Sequence, residues 1–167
     1  MRAAVITVSN RAAAGTYADE AGPAVAALLR EAGFEVADVV VVPDGLGPVG
    51  DAIVAACADA DVVVTCGGTG LSPLDVTPEA TRAVVERPAP GFAEAMRAAS
   101  REITPLAVLS RGVAGIRGRT LVLNLPGSPR GAVESLQAVI AALPHAVDQL
   151  HGGDHPRHRG HGPGHGG

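Results

Sequence analysis

The stretch DVVVTCGGTG, residues 61–70, joins a short apolar run to an abrupt glycine-rich end. Residues 61–66 are apolar almost without interruption, which is typical of a strand covered on both faces in a parallel sheet. Gly67, Gly68 and Gly70 then end the strand and let the backbone approach a ligand closely. The stretch therefore predicts a parallel α/β sheet with a functional loop at the end of a strand.

Strand patterns recur on both sides of this stretch. The predicted strands of the first half cover residues 3–9, 34–42 and 61–66, and residues 10–18 predict a polar loop. Two apolar stretches between residues 112 and 126 predict a β-hairpin that is added to the sheet.

Helical patterns fill the spaces between the strands. The predicted helices cover residues 19–32, 48–58, 91–101 and about 128–143, and Pro144 is expected to restart a short final turn. A further helix is predicted to begin with Thr77 as its cap and Pro78 in its first position. The alternation predicts an α/β fold, doubly wound, with a mostly parallel sheet, helices on both faces and the added hairpin.

The composition limits the domain organisation. Residues 1–150 are long enough for one domain with a real core. Residues 151–167 contain mostly Gly, His, Arg and Pro, and they predict a disordered tail that could bind Zn²⁺ or Ni²⁺ loosely through its histidines. The histidines of this tail are His151, His155, His158, His161 and His165.

The charge and the basic residues limit the kind of partner. A formal net charge of −4 argues against nucleic-acid binding through a basic face. All 13 basic residues are arginines, so the chain lacks the lysine that a Walker A loop or a pyridoxal Schiff base needs. Any bound phosphate must be held by backbone amides and arginines. We therefore expect small-molecule ligands and no nucleic acid.

Neither a membrane span nor a disulfide framework is indicated. The apolar runs are far shorter than the ~20 residues of a membrane-spanning helix, and no signal peptide is evident. Cys57 and Cys66 do not form a CxxC pair, and we interpret them as small buried apolar residues. These observations predict a cytoplasmic protein without a membrane partner.

Two glycine-containing turns offer backbone amides to an anion. The first is Gly67, Gly68, Thr69 and Gly70, and the second is the sequence PGSPRG that follows an apolar stretch. Either turn alone could simply reverse the chain. Two such turns at one sheet edge, with carboxylates nearby, favour a phosphate-binding site.

Asp44 and Asp75 are the candidate carboxylates. Each follows a strand end, beside Gly or Pro, where a carboxylate can reach a bound phosphate through Mg²⁺. The alternative is an Asx turn that satisfies the local backbone. Among the arginines, Arg111 and Arg130 are the best candidates for pairing with anionic oxygens.

Gly45, Gly47 and Gly50 also match the dinucleotide fingerprint GxGxxG. With 22 glycines among 167 residues, chance alone gives about 0.37 such matches, so the signal is weak. The match follows the second predicted strand instead of the first, and no acidic residue ends the next strand. We therefore set the nicotinamide hypothesis aside.

Five sequence segments together are similar to one family. The segments TCGGTG, LDVTPEAT, PGFAEAMR, LSRGVAGIRG and LNLPGSPRG, in this order and spacing, resemble the MoaB/MogA family, whose domain recurs in gephyrin. The similarity covers about residues 3–150. It implies an α/β protein, commonly trimeric, that transfers AMP from MgATP to the terminal phosphate of molybdopterin and releases pyrophosphate. The product would pass to a molybdenum insertase.

The resemblance also assigns roles to residues. It implies that Asp44 and Asp75 are the catalytic and Mg²⁺-binding aspartates. It implies a nucleotide loop at Gly67, Gly68, Thr69 and Gly70, and a substrate site formed by Ser110, Arg111, Pro126, Gly127, Ser128 and Arg130. The early loop departs from the family pattern, because Asn10 stands where an acid is usual, and Ala13 and Ala14 stand near usual hydroxyls.

A second hypothesis is a paralogue of the same fold that binds molybdopterin or a partner without turning it over. The presence of both aspartates and of the GGTG turn favours the enzyme.

Overall fold

One sheet with a parallel centre organises the chain. The computed structural model describes residues 1–153. In this range the sheet contains β1 (Arg2–Val8), β2 (Glu35–Val36), β3 (Val40–Val42), β4 (Val62–Cys66), β5 (Arg87–Pro88), β6 (Ala114–Arg117) and β7 (Thr120–Leu125). At the centre β4 pairs in parallel with β1 and β7, both β2 and β3 pair in parallel with β1, and β6 and β5 complete the other edge in antiparallel pairing.

Helices cover both faces of this sheet. They are α1 (Asn10–Ala13), α2 (Ala21–Glu31), α3 (Leu46–Ala56), α4 (Thr77–Val84), α5 (Pro90–Arg101), α6 (Pro129–Gln137) and α7 (Leu143–Leu150), with 3₁₀ turns at Pro105–Leu109 and Ile140–Ala142. Because strand side chains alternate, Val62 and Val64 of β4 join the core formed with α2, α5, α6 and α7, whereas Val63 joins the core formed with α3 and α4. The predicted doubly wound α/β fold is confirmed.

The predicted strand 34–42 is wrong as one element. Ala3 of β1 pairs with Val36, and Ile6 pairs with Val40. Three residues of the outer chain therefore stand opposite two of β1. The extra residue interrupts the hydrogen-bond ladder that this part of the chain forms with β1. It therefore separates β2 from β3, as a bulge does.

The predicted hairpin forms, but its second strand is not an addition. β7 pairs with β4 in parallel along its whole length and every residue of it is buried. Its six residues, TLVLNL, are thus a central strand of the sheet. The hairpin with β6 then turns the sheet from parallel to antiparallel.

Three other element boundaries differ from the prediction. The expected loop 10–18 contains the short α1, whose cap is Ser9. Thr77 is the first residue of α4 and not its cap. The expected helix 128–143 ends at Gln137, and α7 begins at Leu143, because Pro144 cannot donate the N–H that a continuous helix requires.

The last described residues extend the fold slightly past the predicted domain end at 150. The N–H of His151 donates to the Val147 carbonyl, and its Nε2 lies 3.1 Å from an Asp61 carboxylate oxygen. The remainder of the predicted tail, residues 154–167, lies outside the described residues. Among residues 1–153, no helix is long and apolar enough to cross a membrane.

Candidate active site

A cleft of about 670 Å³ opens at the carboxyl ends of the parallel strands. Its walls are the segments that follow β1, β3, β4 and β7, which contribute residues 9–12, Asp44, Gly67 with Gly68, and residues 127–129. This is where open α/β sheets usually bind ligands. We call it the first cleft.

A second cleft of about 520 Å³ lies next to the first. It is formed by the 3₁₀ turn at Pro105–Leu109, the end of α5 and the start of α6. Both clefts are lined by Gly68, Asp75, Gly127 and Ser128. We call these four residues the shared wall, and ligands in the two clefts would meet there.

The turn after β4 has a shape that only glycine allows. Gly67 and Gly68 have φ values of +108° and +66°. A side chain on Gly67 would overlap the Val8 carbonyl, and one on Gly68 would overlap the Thr77 hydroxyl. Thr77 fixes the turn, because its hydroxyl donates to the Gly67 carbonyl at 2.9 Å and its N–H donates to the Gly68 carbonyl at 3.0 Å.

The same turn presents free amides. Within residues 1–153 the N–H groups of Gly68, Thr69 and Gly70 have no hydrogen-bond acceptor. Three consecutive unpaired amides form a site suited to a phosphate. The structure thus brings together all four residues of the predicted nucleotide loop, although Gly67 donates its own N–H to Leu125.

A buried polar network supports this turn from below. Asn124 of β7 donates to the hydroxyls of Thr65 and Thr81, at 3.0 and 2.9 Å. The Thr81 hydroxyl in turn donates to the Thr77 carbonyl at 2.8 Å. All of these side chains are almost completely buried. Because buried polar groups are costly when unpaired, the network fixes the start of α4 and with it the turn.

The start of α6 forms the other end of the shared wall. Ser128 caps α6 by accepting from the Gly131 N–H at 3.2 Å, and Pro129 is the first helical residue. A side chain on Gly127 would come within 3.3 Å of the Gly67 Cα, so the two turns pack directly against each other. The start of α6 adds the positive end of the helix dipole.

Asp44 is held in the first cleft by an unexpected partner. The Asn10 N–H donates to its carboxylate at 3.2 Å, and the Asp44 N–H donates to the Asn10 side-chain oxygen at 3.0 Å. An ideal Cβ on Gly68 would lie 3.2 Å from the Asp44 carboxylate. Asn10, which departs from the family pattern, is therefore part of the site and orients Asp44.

Asp75 both forms a local turn and lines the two clefts. Its Oδ2 accepts from the Ser72 N–H at 3.2 Å, and its own N–H donates to the Ser72 carbonyl at 2.9 Å. These two bonds form the local turn that we gave as the alternative to ligand binding, in which the aspartate satisfies the nearby backbone. The carboxylate nevertheless lines both clefts, and its Oδ1 has no hydrogen-bond partner within residues 1–153.

The two candidate arginines are occupied by protein groups. Arg111 forms an ion pair with Glu79 and donates to the carbonyls of Gly70 and Asp75. This guanidinium lowers the pKa of the Glu79 carboxyl. Arg130 is mostly exposed and pairs with Glu134 at 2.7 Å. Neither arginine lines the two clefts, whereas Ser110 and Pro126 line the second.

Three lining residues were missed from the sequence. Asp19 accepts from the Thr7 hydroxyl at 2.7 Å and from the Gly22 N–H at 3.0 Å, which secures the start of α2. Arg11 stacks on Tyr17, 4.6 Å from the ring centre. Tyr17 could have been singled out from the sequence, because it is the one tyrosine of a chain with only three aromatic residues.

The residues of the site limit which nucleophile and which metal ligands it can offer. Cys66 lies in the floor of the first cleft, and burial raises the pKa of its thiol to about 12, so the thiol stays protonated. Residues 1–153 contain no cluster of three or more His, Cys, Asp or Glu that could hold a metal alone. Asp44 and Asp75 suit Mg²⁺, which commonly takes one or two carboxylates together with substrate phosphates.

Known proteins resemble this chain over most of its length. The family described as "Probable molybdopterin binding domain" matches residues 4–145. The molybdopterin adenylyltransferase of Helicobacter pylori J99 is 40% identical over 152 residues, which cover 89% of this chain and 86% of that protein. Gephyrin of Dictyostelium discoideum is 37% identical, over 86% of this chain and 21% of gephyrin.

A solved structure gives the same result. The crystal structure of the molybdopterin biosynthesis enzyme MoaB from Thermus thermophilus superimposes with a TM-score of 0.85. It is 46% identical, over 90% of this chain and 96% of that chain. By sequence, fold and the position of its cleft, this chain belongs to the molybdopterin-binding domain family of molybdenum cofactor biosynthesis, the MoaB/MogA family.

Proposed function

We propose that this chain is a molybdopterin adenylyltransferase, which transfers AMP from MgATP to the terminal phosphate of molybdopterin. The products are adenylyl-molybdopterin and pyrophosphate. The observation that carries the proposal is the shared wall, where Gly68, Asp75, Gly127 and Ser128 line both clefts. A reaction between two phosphate-bearing substrates needs two sites that meet at their phosphates.

Each cleft suits one substrate. The first cleft is the larger, and its lining includes an exposed aromatic ring, an arginine stacked on that ring and the Asp44 carboxylate. We assign ATP to it. The second cleft contains Ser110 and Pro126, and we assign molybdopterin to it. The amides of Gly68, Thr69 and Gly70, and those at the start of α6, then hold phosphates on either side of the wall.

The reaction needs no covalent enzyme intermediate. An oxygen of the molybdopterin phosphate attacks the α-phosphorus of ATP, and the bond from that phosphorus to the bridging oxygen of the β-phosphate breaks. Pyrophosphate leaves with the electron pair of that bond. The attacking phosphate is already anionic, so no side chain has to remove a proton. The chain supplies alignment of the two substrates and amide donors for the charge that develops.

Asp44 and Asp75 are the residues that would hold Mg²⁺. The ion would supply charge neutralisation on the phosphates. Because residues 1–153 contain no cluster of three or more His, Cys, Asp or Glu that could hold a metal, the carboxylates should bind the ion in company with ATP. Asn10 keeps Asp44 in place for this purpose, and Ser72 keeps Asp75 in place.

One assay tests the proposal. The purified chain is incubated with molybdopterin, ATP and Mg²⁺, and adenylyl-molybdopterin and pyrophosphate are measured together. We expect equal amounts of both. Binding of molybdopterin without either product would instead identify the non-catalytic paralogue. The adenylylated product would pass to a molybdenum insertase, and a cytoplasmic location stays a prediction that two free thiols support.

We also propose a homotrimer. The hairpin at residues 112–126 is buried within the chain and offers no apolar face. Apolar side chains are exposed instead around the second cleft, at Leu71, Leu74, Ile103, Leu106, Val108 and Leu109. Light scattering should give three times 16.6 kDa, and a monomer at micromolar concentration would refute the assembly.

A further inference from the structure

Arg111 acts on the loop that carries Asp75, and not on an open ligand site. Its side chain is about one-third exposed and is surrounded by groups of residues 70–79. Nε donates to the Gly70 carbonyl at 2.8 Å, and Nη2 donates to the Asp75 carbonyl at 2.6 Å. The main-chain N–H of Arg111 adds a bond of 2.8 Å to the Thr69 carbonyl.

These bonds close the segment 70–75 into a fixed loop. One planar guanidinium bridges the carbonyls at the two ends of the segment, a task that requires several donors in rigid geometry. Within the segment, Ser72 and Asp75 bond to each other. The exposed leucines at 71 and 74 contribute little packing. The position of the Asp75 carboxylate therefore depends largely on Arg111.

Glu79 completes the arrangement from α4. Its carboxylate accepts from Nη1 and lies in the first turn of the helix whose start holds the glycine turn through Thr77. Arg111 thus connects α4 to both ends of the loop. Because every nitrogen of the guanidinium already donates within residues 1–153, only one of its five N–H groups, on Nη1, is left for a substrate anion.

We propose that Arg111, oriented by Glu79, is a positioning residue that holds Asp75 at the shared wall. The proposal rests on the adenylyl transfer proposed above and adds a distinct role for an arginine that the sequence suggested as a direct substrate ligand. Loss of the Arg111 side-chain bonds loosens this loop and misplaces the Asp75 carboxylate, while the start of α6 and the rest of the cleft lining stay in place.

The test compares Arg111→Gln, Arg111→Lys and Glu79→Gln with Arg101→Gln, a matched control on the exposed end of α5. Hydrogen exchange of the ligand-free proteins is followed by mass spectrometry in peptides that cover residues 67–76 and 62–66. In Arg111→Gln we expect about tenfold faster exchange in the first peptide and no change in the second, since loop opening is local.

Kinetics supply the second measurement. Arg111→Gln should lower kcat by about 10- to 100-fold, the scale expected when a reacting group is misplaced by about 1 Å, with the KM for molybdopterin within about twofold. The kcat of Arg111→Lys should lie between those of Arg111→Gln and wild type, because an ammonium cannot bridge the two carbonyls in the same way. Glu79→Gln retains an acceptor for Arg111, so its kcat should fall less than that of Arg111→Gln. The kcat of the control Arg101→Gln should equal that of wild type.

Two results would overturn the proposal. One is unchanged exchange of residues 67–76 in Arg111→Gln. The other is a large rise in the KM for molybdopterin with unchanged kcat, which would make Arg111 a direct substrate ligand. If the wild type transfers no AMP, the proposed function fails, but the exchange experiment still decides whether Arg111 fixes the loop.

Discussion

Two glycine-rich turns leave the sheet at its carboxyl edge, one after β3 and one after β4, and they differ in how much they need their glycines. The turn after β3 matches the dinucleotide fingerprint. Its first glycine, Gly45, has a φ of +145° that favours glycine, but a side chain on Gly47 would meet nothing within 4 Å, and one on Gly50 would make an ordinary contact with Val84. The turn after β4 matches no general motif, yet Gly67 and Gly68 have no room for a side chain.

The difference shows that position in the fold carries more information than the literal motif. Gly47 and Gly50 lie within α3 and line neither cleft. The N–H groups of Gly68 and Thr69 stay unpaired within residues 1–153, and Gly68 lies in the shared wall of the two clefts. The turn that we propose to bind phosphate is therefore the one whose backbone is constrained and borders the clefts.

Substitution in the constrained turn should have the largest effect. Gly68→Ala places a methyl group against the Thr77 hydroxyl at a φ of +66°. We expect more than about a hundredfold loss of turnover, because the amide donors move. The strain should also lower the free energy of unfolding by about 1–3 kcal/mol. Adenylyl transfer and urea denaturation measure the two effects, and a fully active variant would show that the turn is not needed in this shape.

Asp75→Asn should separate chemistry from folding. The amide oxygen of Asn can still accept from Ser72, so the free energy of unfolding should change by less than about 1 kcal/mol. Turnover should fall by about a hundredfold, since the charge at the shared wall is lost. Thermal unfolding of the variant beside wild type checks the first part. A large loss of stability with normal turnover would make the residue a turn former only.

Asp44→Asn should have the next largest effect. This carboxylate lies in the first cleft and, unlike Asp75, does not line the second. We expect about a tenfold loss of turnover and weaker binding of ATP in the presence of Mg²⁺. Calorimetric titration with MgATP measures the binding. Unchanged affinity and turnover would limit Asp44 to its backbone contacts with Asn10.

The smallest effect is expected in the turn after β3. Gly47→Ala adds a methyl group in open space within a helix. Turnover should stay within about twofold of wild type, and the free energy of unfolding should rise by about 0.4–1 kcal/mol, because Ala loses less backbone entropy than Gly on folding. A strong loss of ATP binding would instead show that the GxGxxG match takes part in nucleotide binding.

The sequence predicted those features that depend on neighbouring residues. The apolar run of β4 and its glycine end could be seen directly, as could the start of the last long helix near residue 128. The bulge between β2 and β3 could not, because it depends on register against β1. The buried centre at β7 likewise depends on which strand it pairs with.

Site residues divide in the same way. Asp44 and Asp75 stood out because each follows a strand end. The role of Arg111 was hidden, since its partner Glu79 lies 32 positions away and its other acceptors are carbonyls, which leave no trace in a sequence. Asn10 was hidden for the same reason, because its partner Asp44 is 34 positions distant.

The central claim is that AMP is transferred at the shared wall between the two clefts and that the Asp75 carboxylate is needed there. One ratio tests it most directly: the rate of adenylyl-molybdopterin formation by Asp75→Asn divided by that of wild type, at saturating ATP, molybdopterin and Mg²⁺. The account predicts a ratio of about 0.01 or less, from a protein that remains folded. A ratio near 1 would contradict it.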